Sequence, residues 1–150
     1  MTNYVFKSII GNIELSAFNQ RVQSIKITRK KSTKTKDPLL LKSASQINDF
    51  LKRKRKSLSF PTQQIGTIFQ NRVWKKLKEV PHGKTVSYCD LANELKSSPR
   101  AVGGACGKNR LMLVVPCHRV IAKNGKLTGF TSVGGIKAKK RLLDIEQKTI

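Results

Sequence analysis

Acidic residues are scarce in this sequence. Its 150 residues hold 8 Asp and Glu against 31 Lys and Arg, a formal net charge of +23. A field of that sign attracts polyanions and speeds their encounter. DNA, RNA and anionic membrane are the natural partners, and nucleic acid fits best. Long apolar runs are missing too. None approaches the roughly 18 residues of a membrane span, so no membrane association is expected. The N-terminus MTNYVFKSII lacks a secretory pattern. Cysteine is sparse. Cys89, Cys106 and Cys117 are odd in number, so at least one thiol stays free. No CxxC pair occurs, which argues against structural zinc, and neither metal nor cofactor is expected. A reducing, cytoplasmic setting suits such thiols.

What is present reads as an α+β chain. Hydrophobic residues make up 38%, enough for a packed core. Residues 1 to 28 alternate polar and apolar, with Gly11-Asn12 between two runs, and predict short antiparallel strands. Residues 26 to 42 read as a basic loop. A helix is expected in SASQINDFLKRKRK, capped by Ser43 or Ser45. Pro61 marks a boundary, and the pattern turns helical after it. Thr67 caps IFQNRVWKKLKEV, whose Phe69, Val73, Trp74, Leu77 and Val80 recur at core-facing spacing. The division expected is a small N-terminal antiparallel β-sheet domain with a helix over 1–56, a linker over 57–66, and a mainly helical domain over 67–150.

That second part holds a helix-turn-helix pattern. Ser87 opens SYCDLANEL with Asp90 three residues on, and Ser98-Pro99 opens PRAVGGACGKN. Such a unit presents its second helix to DNA. Arg100 leads that helix, and Gly103, Gly104 and Gly107 thin it at a cost of roughly 1 kcal/mol each. Thinness lets backbone approach backbone. Residues 111 to 115, LMLVV, read as a buried strand leading into Pro116-Cys117-His118-Arg119. A hairpin is expected next, with Asn124-Gly125 as its turn, and a closing helix from about Gly135.

Cys117 alone reads equally as a small buried hydrophobe or as a nucleophile. His118 and Arg119 are the local cations that would lower its pKa. Glu146 follows Leu142 and Leu143 by four and three residues, beside the apolar face of the last helix. A buried carboxylate needs a partner. If that partner is His118, a Cys–His–Glu relay results. Cys89 and Cys106 read as ordinary helix thiols.

Residues 68 to 148 resemble the C-terminal domain of O6-alkylguanine-DNA alkyltransferases. The matching pieces stand in order: FQNRVWKKL, VPHGKTVSY, DLA, PRAVGGACGKN, VPCHRVIAKNG, GF and LLDIE. The resemblance implies single-turnover repair. Cys117 would take methyl or other alkyl groups from O6 of guanine, and from O4 of thymine, in duplex DNA. It implies His118 as the base acting through water, with Glu146 behind it. Tyr88 would be the proton donor and Arg100 the finger replacing a flipped base. Ala101, Gly103, Gly104, Asn109 and Arg110 would join them on DNA. Val120, Phe130, Thr131, Ser132 and Asn109 would bound the guanine pocket. A monomer is implied, with room for cooperative binding along DNA. The chain departs from the family at Arg110, often Pro, at Phe130, commonly Tyr, and in a longer Thr131-Ser132-Val133 stretch.

Overall fold

The structure, a computed structural model, describes residues 1–128 and 133–147. Phe130, Thr131 and Ser132 lie outside them. Strands β1 (Thr2–Phe6), β2 (Ile13–Phe18) and β3 (Arg21–Ile27) form an antiparallel sheet in the order β1-β2-β3. Period-two patterning turns Ile13, Leu15 and Ala17 inward from β2, in register with Ile27, Ile25 and Val22 of β3. Asn19 and Gln20 both have positive φ, 50° and 59°, as a two-residue hairpin turn between right-twisted strands requires.

Helix α1 (Pro38–Leu51) begins five residues before the expected Ser43. Asp37 is its cap, accepting from the Leu39 amide at 2.9 Å, and Pro38 fills the first helical position. Asp-Pro therefore outcompetes the serines: Ser43 lies inside the helix, its hydroxyl bonded back to the Leu39 carbonyl. The basic loop shrinks to residues 28–37. Thr33 straps it to β1, exchanging backbone and side-chain bonds with Val5 at 2.9 and 3.0 Å.

Helix α2 (Ile68–Lys78) starts at a capping box in which Thr67 and Gln70 satisfy each other's amides, both at 3.0 Å. Its Val73, Trp74 and Leu77 are buried, while Phe69 and Val80 are half-buried. Helix α3 (Tyr88–Leu95) is capped by Ser87 and α4 (Pro99–Gly107) by Ser98. Lys96 takes the left-handed conformation that ends α3. The Trp74 indole donates to the Ala105 carbonyl at 3.0 Å and pins α4 to α2. Helix α5 (Gly135–Gln147) closes the chain. The core runs without a break from the sheet through α1 to α5.

Residues 111–115 do not form the expected strand. Leu111 makes one isolated bridge to Ile25, and the chain then coils. Val115 donates back to the Leu111 carbonyl at 2.9 Å, and Leu113 has φ of +74°. The apolar run is explained by burial inside a tight turn. A two-residue parallel pair, β4 (Val86–Ser87) with β5 (Val120–Ile121), follows instead. The Asn124-Gly125 turn forms, with Ala122 and Lys126 bonded across it at 3.0 Å. No described residue after Lys126 returns as a strand.

Candidate active site

Cys117 opens a 3-10 turn, Cys117–Arg119, that the Pro116 carbonyl closes by accepting from Arg119. That turn brings His118 and Arg119 to one carboxylate and leaves Cys117 on a cavity. The Cys117 thiol is half-buried, whereas His118 is fully buried and Arg119 nearly so. His118 Nε2 meets Glu146 Oε2. Arg119 brings its fork to the same carboxylate, Nε to Oε1 at 2.8 Å and a terminal nitrogen to Oε2 at 3.0 Å. The Gly83 amide donates to Oε1 at 3.2 Å. Glu146 is 2% exposed, so a carboxylate dry enough to be costly is met by four donors. Burial alone would raise its pKa; the bonds from His118 and Arg119 overcome that and hold it at about 2.

Burial lowers the His118 pKa below 6.5, and Glu146 offsets only part of this. The ring is neutral near pH 7. With Nε2 facing a carboxylate, the proton is assigned to Nε2 and Nδ1 keeps its lone pair. Nδ1 is buried and has no hydrogen-bond partner among the described residues. A neutral imidazole with a bare Nδ1 can act as a base.

The thiol itself corrects the sequence reading. Arg119 is spent on Glu146 and Val80, to whose carbonyl it donates at 2.8 Å, and His118 is neutral. Neither lowers the Cys117 pKa. Burial pushes that pKa up, opposed by a bond from Asn109 and by the Lys139 charge. Cys117 therefore rests as a thiol. Asn109 donates to Sγ at 3.4 Å and to the Val115 carbonyl at 2.9 Å. Its oxygen accepts from Gln64 and Leu111 at 2.9 and 3.0 Å.

A cavity of about 500 Å³ opens over the thiol. Tyr88, Arg100, Gly103, Cys106, Thr128 and Cys117 line it. Arg100 is exposed at the start of α4. A Cβ at Gly103 would come 3.9 Å from the Tyr88 ring, and one at Gly104 would meet nothing within 4 Å. Internal packing thus does not explain Gly104, because it faces outward. Burial holds Tyr88 protonated, and pushes the Cys106 thiol up to about 12.

Residues 68–148 match the family described as 6-O-methylguanine DNA methyltransferase, DNA binding domain. The chain belongs to that family. An inducible methylated-DNA–protein-cysteine methyltransferase of Bacillus subtilis is 47% identical over 107 residues, which is 70% of this chain and 59% of that protein. A protein of the same name from Methanosarcina acetivorans is 34% identical over 95% of this chain and 96% of its own. The crystal structure of Mycobacterium tuberculosis OGT in complex with DNA superposes with a TM-score of 0.86 at 33% identity, covering 98% of this chain and 93% of that one.

In this alkyltransferase-family chain some expected residues fall elsewhere. Val120 is fully buried in β5, in register with Val86, and does not line the cavity; Ala122 and Lys123 do. Arg110 is exposed, with a terminal nitrogen bonded to the Ile65 carbonyl at 3.1 Å. Ala101 is half-buried on α4. Among the described residues no helix is long and apolar enough to cross a membrane, and no cluster of His, Cys, Asp or Glu could hold a metal ion.

Two residues of the site were missed in sequence. Lys139 is fully buried, its ammonium 2.8 Å from the Thr128 carbonyl and 3.4 Å from the Tyr88 hydroxyl. It stands seven residues before Glu146, two helical turns up the same face, and that spacing was the available signal. Gln64, in the expected linker, holds Asn109; nothing in its local pattern marks it.

Proposed function

We propose that this chain is a single-use DNA repair protein. It transfers methyl or other alkyl groups from O6 of guanine, and from O4 of thymine, in duplex DNA to its own Cys117. The observation that carries this is one cavity lined by the Cys117 thiol, Tyr88 and Arg100, with a buried neutral His118, next to Cys117 in the chain, bonded to the Glu146 carboxylate.

In the proposed step, His118 Nδ1 takes the thiol proton through a water. Sγ then attacks the alkyl carbon in line with O6. The S–C bond forms as the C–O6 bond breaks, and the electron pair leaves on guanine. Tyr88 gives its phenolic proton to the departing base. Lys139, beside that hydroxyl, supports the phenolate so formed. Solvent returns His118 and Tyr88 to their resting forms. The thioether has no route back to a thiol, so each molecule acts once.

The lesion must leave the base stack to reach the thiol, and a damaged pair costs less to open. Arg100 fills the space left behind. Helix α4 enters the minor groove, where its outward Gly104 permits close approach. That groove carries little sequence information, as suits repair at any site. In this reading residues 67–150 carry chemistry and DNA contact, 57–66 link, and 1–56 form a variable unit.

The test is to mix the protein with excess duplex carrying one methylated guanine, then to measure intact mass and map the peptides. One added methyl on Cys117, with no further turnover, is expected. Restored guanine beside an unmodified Cys117 would sink the proposal.

A further inference from the structure

A second cavity, of about 450 Å³, also reaches Cys117. It shares Cys117 and Gly107 with the first and lies on the side of the N-terminal sheet. Residues 24–27 of β3 form one wall, and Met112 and Val133 add apolar surface. Asn109 also lines it, as do Lys26, Lys108 and Arg110, and these three cations are exposed. Glu14 is shared between Lys26 at 3.7 Å and Lys30 at 3.0 Å, so one carboxylate faces two ammonium groups. Arg110 bonds a neutral carbonyl, and among the described residues no carboxylate pairs with Lys108 or Arg110.

In-line displacement puts sulfur, the alkyl carbon and O6 on one line. Whatever else the carbon bears projects sideways from that line. With the base in the first cavity, a larger substituent needs separate space beside the thiol. We infer that the second cavity receives the alkyl substituent, and that its cationic rim favours substituents ending in a carboxylate. This rests on the repair reading above. The bonds made and broken are the same as for methyl transfer, and the carboxylate takes no part in them. The N-terminal sheet thereby becomes a determinant of which lesions are accepted.

Free bases test this without any phosphate present. O6-benzylguanine and O6-(4-carboxybenzyl)guanine present the same reacting carbon, and alkylation of Cys117 is followed by intact mass. The carboxylate form should react about threefold to tenfold faster, an advantage that shrinks in molar salt. A Lys26→Gln/Lys108→Gln protein should lose that advantage while its rate with O6-benzylguanine holds. Lys42→Gln, an exposed lysine of α1 away from the cavity, should keep it. An undiminished preference in the double variant overturns the inference, as does an equal loss for both bases. A double variant impaired only on duplex DNA also overturns it, and makes the rim a phosphate contact. If methylated duplex alkylates Cys117 but neither free base does, this inference fails and the repair reading stands. If duplex fails as well, the repair reading is the one at fault.

Discussion

The Lys139 ammonium lies 3.4 Å from the Tyr88 hydroxyl, and both groups bond the same Thr128 carbonyl. In the proposed step a cation in that place stabilises the phenolate, and Lys139 is fully buried. Lys139→Met should therefore slow alkyl transfer about tenfold to a hundredfold while duplex affinity changes less than about twofold. Single-turnover rates across pH should show the alkaline limb displaced. Parallel losses of rate and affinity would mean that Lys139 only holds the fold.

The Glu146 carboxylate joins two residues adjacent in the chain, and its removal leaves Arg119 charged in a dry interior. Glu146→Gln should destabilise the protein by about 3–5 kcal/mol in urea melts. Replacing both partners with apolar residues, Glu146→Leu with Arg119→Met, should cost less than either change alone. A double variant as damaged as the sum of the singles would contradict this account.

Acid should act on the same carboxylate. Its folded pKa of about 2 lies below its ordinary 4.5, so its contribution to stability is whole above 4.5. That contribution is lost as pH falls from 4.5 toward 2. Urea midpoints should drop through that window in the parent protein, and the drop should be smaller in Glu146→Gln.

The base titrates elsewhere. Because burial holds the His118 pKa below 6.5, the imidazole is still neutral where an exposed histidine has begun to charge. The acid limb of alkyl transfer should fall below pH 6.5. A midpoint at or above 6.5 would remove His118 as the base.

Gly104 separates stability from function. Gly104→Ala should stabilise α4, by up to about 1 kcal/mol, because nothing crowds the added carbon. Gly104→Leu should fold as well and yet lose at least about tenfold in duplex affinity. Full binding by the leucine variant would mean that α4 does not approach DNA through this face.

Local chemistry was readable wherever it is local. Thr67, Ser87 and Ser98 announced their helices because a cap is a short-range bond. Asp37 announced α1 just as clearly, but a serine-rich stretch downstream offered competing caps. The run 111–115 misled because apolar composition reports burial, and a buried turn looks like a buried strand. The His118–Glu146 pair was legible from the placement of Glu146 beside the apolar face of its helix. The sign of the thiol's pKa shift was not, since it is set by burial, and the local cation Arg119 is turned to Glu146, 27 residues away. Gln64 reaches Asn109 across 45 residues, and no local pattern encodes such a bond.

The bond from Trp74 to the Ala105 carbonyl has an optical consequence. Trp74 is the only tryptophan of the chain, and its indole is fixed to the helix assigned to DNA. Its emission is a native probe of that helix, free of background from other indoles. A wavelength shift on adding duplex would record strain reaching α4 from the groove, and stopped-flow traces would time that event against the chemical step without an attached dye.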